Sequence, residues 1–236
     1  MSYCCAMCVK ATPCNTEKQE GLPANCPCRE KEIVEWSKTE FHKPENKQIA
    51  DAAIKTEYEG YCKRTRVEEI MEFAAHMGYK HIGIAHCIGL KKEAAYAYKI
   101  FTANGFKVDT ASCKAATFSK KELGHGDFQI NKDYEGTCNP IAQAKLLEKA
   151  GCELAVVMGL CVGHDTLFLK HCNLPVTYLV VKDRALGHNP VQALYLSESY
   201  MRARLFPPTR LTGNISDVPT QPALAHPDTL AGGKCV

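Results

Sequence analysis

The chain has 236 residues, of which 45% are apolar and 23% charged, and a formal net charge of +3. That length supports one large domain, or one domain with an appendage, and leaves room for a real core. The small charge argues against a nucleic-acid or polyanion surface. No apolar run approaches the roughly 18 residues of a membrane span, and the polar start lacks the apolar stretch of a secretory signal, so no membrane association and a cytoplasmic location are expected.

Fourteen cysteines and nine histidines set this composition apart. A long chain without a signal is a poor candidate for a disulfide scaffold, which leaves thiolate-held metal or redox chemistry. Cys4, Cys5, Cys8, Cys14, Cys26 and Cys28 crowd the first residues, in a polar segment with few large apolar side chains. Such a segment cannot build its own core, so residues 1–30 read as a small metal-folded module.

Residues 31–78 read as a helical segment. Ile33, Val34 and Trp36 begin it, and Ile49, Ala52, Ala53, Ile54, Tyr58 and Tyr61 recur at three- and four-residue spacing on one face. Thr65 and Glu68 form a capping box that opens a second amphipathic helix, and Gly78 closes it. From residue 79 to 205 strands and helices alternate. His81–His86, Phe106–Ala111, Leu154–Gly159 and Val176–Val181 read as strands. Leu90–Ala103, Pro140–Ala150, Asp165–His171 and Pro190–Arg204 read as helices. This alternation predicts an α/β domain: an open, mostly parallel sheet with helices on both faces. Residues 206–236, with five prolines and little periodicity, read as an extended C-terminal arm.

Four cysteines fall at strand ends or strand-to-helix turns. Cys87, Cys113 and Cys161 follow strands, and Cys138 precedes a helix. In an open parallel sheet these turns share one edge, where ligands bind, so the four should converge. Four thiolates suit zinc or an iron–sulfur cluster. Single ligands on four loops, rather than paired knuckles, favour the bulkier [4Fe–4S] cluster. His164, Lys182, Arg184 and His188 follow strands at the same edge and are the candidate catalytic groups, able to supply protons or hold an anion. Asp165 and Asp183 read equally well as a helix cap and half of a structural ion pair. Gly83, Gly89, Gly159 and Gly163 read as backbone room, and no phosphate-binding glycine motif is present. Cys152 and Cys172 read as packing residues.

At the N-terminus, Cys5, Cys8, Cys14 and Cys26 follow the order C-x2-C-x5-C-x11-C. These four thiolates in a polar segment suit zinc or a second iron–sulfur cluster. Cys4 and Cys28 are spare or alternative ligands.

The runs CCAMCVKATPC and NCPC, the segment MGYKHIGIAHCIGLKKEA and the segment GLCVGHDTLFLKHCNLPVTYLVVKDRALGHNPVQALY resemble the uncharacterised prokaryotic metal-binding protein family, domain of unknown function 1847. The resemblance spans roughly residues 4–200 and implies metal binding without naming a reaction. Its motif cysteines correspond to Cys5, Cys8, Cys14, Cys26, Cys87, Cys113, Cys138 and Cys161. Cys4, Cys28 and the proline-rich tail are additions. The expectation is an iron–sulfur protein with redox or sulfur-handling chemistry at the sheet edge, acting on a small molecule. The alternatives are an electron-transfer module with a protein partner and no substrate pocket, or a zinc-stabilised sensor, carrier or interaction protein.

Overall fold

The computed structural model describes residues 3, 5–8, 14, 20–130 and 134–206. Cys4, Cys235, much of the 1–30 module and the C-terminal arm beyond Phe206 lie outside the described residues. The chain falls into two compact units, one holding the described residues up to Gln48 and the other spanning Ile49–Pro207.

The first unit carries α1 (Lys31–Phe41) and the start of α2 (Pro44–Gly60). Ahead of α1 the backbone is tied by Arg29, whose guanidinium donates to the carbonyls of Pro23 and Leu22 at 2.8 and 2.6 Å.

In the second unit, α2 departs from the face expected of it. Its buried stripe is Ala52, Thr56 and Gly60, while Ile54, Tyr58 and Tyr61 are exposed. Small residues four apart permit close approach, and the Thr56 hydroxyl lies 3.1 Å from His76 Nδ1 on α3 (Arg66–Met77). Counting bulk alone picked the wrong face. The start of α3 is as expected: the Thr65 amide and hydroxyl donate to Glu68 Oε2 at 2.7 and 2.6 Å. Gly78 ends it with a φ of 75°.

The sheet has four parallel strands in the order β2-β1-β3-β4: β1 (His81–His86), β2 (Lys107–Ser112), β3 (Leu154–Met158) and β4 (Val176–Val180). The central pair, β1 and β3, is buried throughout, which is why both read as apolar runs. Ile82, Ile84, Val156 and Met158 face α3 and α4 (Lys91–Ala103), where Ala94 and Ala97 let the helix approach and Phe101 is fully buried. Ala85, Ala111, Ala155 and Val157 face α5 (Pro140–Lys149) and α6 (His164–His171), with Leu147 and Phe168 filling the layer. Burying a side chain the size of Phe101 or Phe168 is worth roughly 1.5–3 kcal/mol. The chain leaves β1 toward β2 on one side and reaches β3 on the other. The strand order therefore reverses between β1 and β3, and the crevice outside their carboxyl ends is the topological switch point.

The single helix expected from Pro190 to Arg204 is instead two short pieces, α7 (Val191–Tyr195) and α8 (Arg202–Leu205). Between them the amides of Ser197 and Ser199 bond carbonyls three residues back, and the Ser199 hydroxyl donates to the Leu196 carbonyl at 3.3 Å. Serines that compete for backbone groups interrupt a helix with no buried face.

Candidate metal centre

The backbone carries the core cysteines to the switch point. The Cys87 amide donates to the Met158 carbonyl at 3.1 Å, and the Cys113 amide to the His86 carbonyl at 2.8 Å. The long β2–α5 connection then returns, and the Asn139 amide donates to the Cys113 carbonyl at 2.8 Å. Asn139 also caps α5 through Ala142 N, with Pro140 opening the helix. Cys138 is thus held at a helix N-terminus, beside the end of β2. Inside the turn, fully buried Gln143 donates through Nε2 to the carbonyls of His86 and Ala111 at 3.2 and 2.7 Å. It clamps β1 to β2 one residue ahead of Cys87 and two ahead of Cys113.

The sulfurs meet as follows. Cys113 Sγ lies 3.7 Å from Cys138 Sγ and accepts a hydrogen bond from the Ile88 amide at 3.3 Å. Cys113 also lies beside Cys87, and Cys87 beside Lys182. Cys138 lies beside His164. Cys161, in the turn after β3, accepts from Arg184 Nη2 at 3.0 Å. The Cys113 thiol, buried between two other thiols, is pushed up. Contact with Cys113, together with Lys182 for Cys87 and with His164 and Lys114 for Cys138, pulls both partner thiols down. The His164 imidazole is raised by the Cys138 thiolate, and the Arg184 guanidinium by Cys161.

Of the candidate catalytic groups, His164, Lys182 and Arg184 touch these sulfurs. His188 does not join them by any contact given for it. Its Nδ1 accepts the Asp183 amide at 3.1 Å, closing its own loop with a φ of 65°. Asp183 likewise builds a turn, accepting the Ala185 and Leu186 amides at 2.9 Å. Asp165 accepts the Gly163 and Thr166 amides at the start of α6. Lys114 was missed. Its signal was adjacency to Cys113, which puts its charge at the same edge, beside Cys138 and His164.

A four-thiolate zinc site has tetrahedral edges of about 3.8 Å, from Zn–S bonds of about 2.3 Å. Among the described residues, the groups whose ligand atoms all lie within 4.8 Å take no cysteine from this edge. The Cys113–Cys138 separation of 3.7 Å matches such an edge, while the other thiols stand outside so tight a group. The rim is open, because Arg184 is exposed and Cys138 and Cys161 are half-buried. A cavity of about 510 Å³ lies at the other edge, lined by Ile49, Arg66, Ile70, Phe73, Leu154 and Val176 among others.

In the N-terminal unit, Cys5–Met7 form one 3-10 turn and Pro27–Arg29 another. Cys28 lies beside Cys26, and Cys26, Cys14 and Cys5 all raise its thiol. Cys28, held in reserve as an alternative ligand, thus lies among the expected set. No disulfide is formed among the described cysteines.

A model of the family described as "Protein of unknown function (DUF1847)" matches residues 26–179. The match takes in Cys26 and the four core cysteines, and leaves out Cys5, Cys8, Cys14, Lys182, Arg184 and His188. An uncharacterized protein of Methanocaldococcus jannaschii, MJ0455, is 43% identical over 166 residues, covering 70% of this chain and 84% of the relative.

Proposed function

The chain belongs to the DUF1847 family, whose description names no activity, and from the geometry of its sheet edge we propose that it is an iron–sulfur protein with redox or sulfur-handling chemistry at that edge. Cys87, Cys113, Cys138 and Cys161 would hold a [4Fe–4S] cluster. The observation that supports this reading is that Cys113 and Cys138 stand 3.7 Å apart at the β1/β3 switch point, with Cys87 following β1 and the Arg184-bonded Cys161 following β3, so that single thiols come from four separate turns. A bound cluster would supply an electron, or an iron able to hold a sulfur ligand.

The surrounding residues support a reactive centre over a sealed electron carrier. Lys182, Arg184, Lys114 and His164 form a cationic rim that offsets the negative charge of a thiolate-bound cluster. Exposed Arg184 gives the rim access to a small anionic molecule, and His164, beside Cys138, can move a proton there. At the N-terminus, Cys5, Cys14, Cys26 and Cys28, with Cys8 beside them in sequence, would hold zinc or a second cluster.

Purification without oxygen, followed by iron, acid-labile sulfide and zinc determination, tests the proposal. The expected result is a brown protein with iron and sulfide near four per chain at the core site. A colourless protein carrying only zinc would replace this reading with a structural one.

A further inference from the structure

A second set of ligand-type side chains lies at the opposite edge of the sheet. In the β1–β2 register His81 pairs with Lys107 and Gly83 with Asp109. Positions 81 and 109 therefore share the sheet face of Ala85 and Ala111. Cys152 enters that face from the turn before β3. Gly83 makes room for it, since a Cβ there would stand 3.0 Å from Cys152 Sγ. His81 Nε2 is 2.7 Å from Asp109 Oδ2 and 3.6 Å from Cys152 Sγ, and the three atoms lie mutually within 4.8 Å.

A single imidazole nitrogen cannot serve both neighbours well. If Nε2 carries its proton toward Asp109, it has none for the sulfur. If Nε2 is bare and accepts from the thiol, its lone pair faces a carboxylate oxygen at 2.7 Å. A cation placed among the three satisfies all of them.

We propose that His81, Asp109 and Cys152 form a binding site for a divalent cation of the zinc class. The donor set of one imidazole, one carboxylate and one thiolate suits zinc and disfavours magnesium and calcium. Tetrahedral zinc with its usual bond lengths wants about 3.5 Å between nitrogen and sulfur and about 3.4 Å between nitrogen and oxygen. The first separation is already in place. The second requires only that the Asp109 carboxylate swing outward, and its side chain is 46% exposed. That exposed side also admits the ion and leaves a fourth position to water.

The proposal does not rest on the cluster reading, because the two groups occupy opposite sheet edges. The test uses the full chain, purified without oxygen, stripped of loosely bound metal and titrated with Zn²⁺ against a chromophoric chelator. Asp109→Asn preserves shape and an acceptor for His81, and Cys152→Ser preserves volume. Each variant should bind one zinc equivalent fewer than the wild type, with unchanged circular dichroism and unchanged iron and sulfide. Retention of the full zinc count by either variant overturns the proposal. Failure of the cluster reading would instead appear as missing iron in all three proteins.

Discussion

Cys138 Sγ stands 3.7 Å from Cys113 Sγ although 25 residues separate them. The backbone imposes the approach. The Thr137 amide bonds the Phe118 carbonyl at 2.7 Å and the Asn139 amide bonds the Cys113 carbonyl at 2.8 Å, so the connection closes on itself like a clasp. Cys113 also lies beside Cys87, which makes it the central sulfur of the group. Cys113→Ser should therefore reduce metal retention by tenfold or more, on the order of the loss seen when a ligand's support is removed. Metal per chain after gel filtration measures it. Full retention would show that the thiols meet for packing alone.

The strands and most helices were legible because burial on both faces leaves a plain apolar signature, as in His81–His86 and Leu154–Met158. The meeting of Cys113 with Cys138 was readable from topology, since every strand of a parallel sheet ends at one edge. What sequence could not give was side-chain direction. His188 lies in the same loop as Lys182 and Arg184, yet a left-handed backbone turns its ring back onto Asp183. The α2 stripe failed for a related reason: Ala52, Thr56 and Gly60 are chosen for closeness rather than for hydrophobicity. Cys152 packs in the core as its sequence suggests, but its meeting with His81 and Asp109 was hidden because those two come from different strands and reach it only through the register.

The N-terminal set makes its own prediction. Cys28 lies beside Cys26, so if the proposed N-terminal metal site is present, Cys28→Ser should disturb it as Cys8→Ser does. A structural metal of this type contributes on the order of 10 kcal/mol to ordering its segment. Limited proteolysis should cut residues 1–30 in both variants while Ile49–Pro207 stays intact. Wild-type protection in both variants would assign the segment to packing instead.

Gly159 follows β3 with a φ of 63°, and a Cβ there would stand 2.0 Å from Leu90 Cδ1. Leu90 is almost fully buried, so it has little room to yield. Gly159→Ala combines left-handed strain with overpacking and should cost about 2–4 kcal/mol. Thermal or urea unfolding measures the loss. A change under about 0.5 kcal/mol, the size of an ordinary surface substitution, would mean the turn relaxes freely.

The Thr65–Glu68 box sets a pH dependence. The bonds from the Thr65 hydroxyl and amide hold the Glu68 carboxyl below its ordinary value. A depressed carboxyl stabilises the fold above its unfolded pKa, near 4.3, and loses that contribution as pH falls through the lower folded value. The stability gap between wild type and Glu68→Ala should therefore be open at pH 7 and close in the acid range below about pH 4. A gap that persists unchanged into acid would assign the effect to helix propensity.

Lys182 and Arg184 bear on function most directly. Lys182 lies beside Cys87 and Arg184 donates to Cys161, so two cations face two sulfurs of the proposed centre. Adding an electron makes a thiolate-bound cluster more negative, and nearby cations favour that reduced state. Replacing either by glutamine should lower the midpoint potential. Arg184 is exposed, so screening limits the effect to about 1 kcal/mol or less, equivalent to a few tens of millivolts for one electron. Half-buried Lys182 should give the larger shift, and raising the salt concentration should shrink the Arg184 effect first. Spectroscopic redox titration of the two variants decides it. Potentials equal to the wild type in both would separate these cations from the centre, and a rise in potential would reverse the sign on which the argument stands.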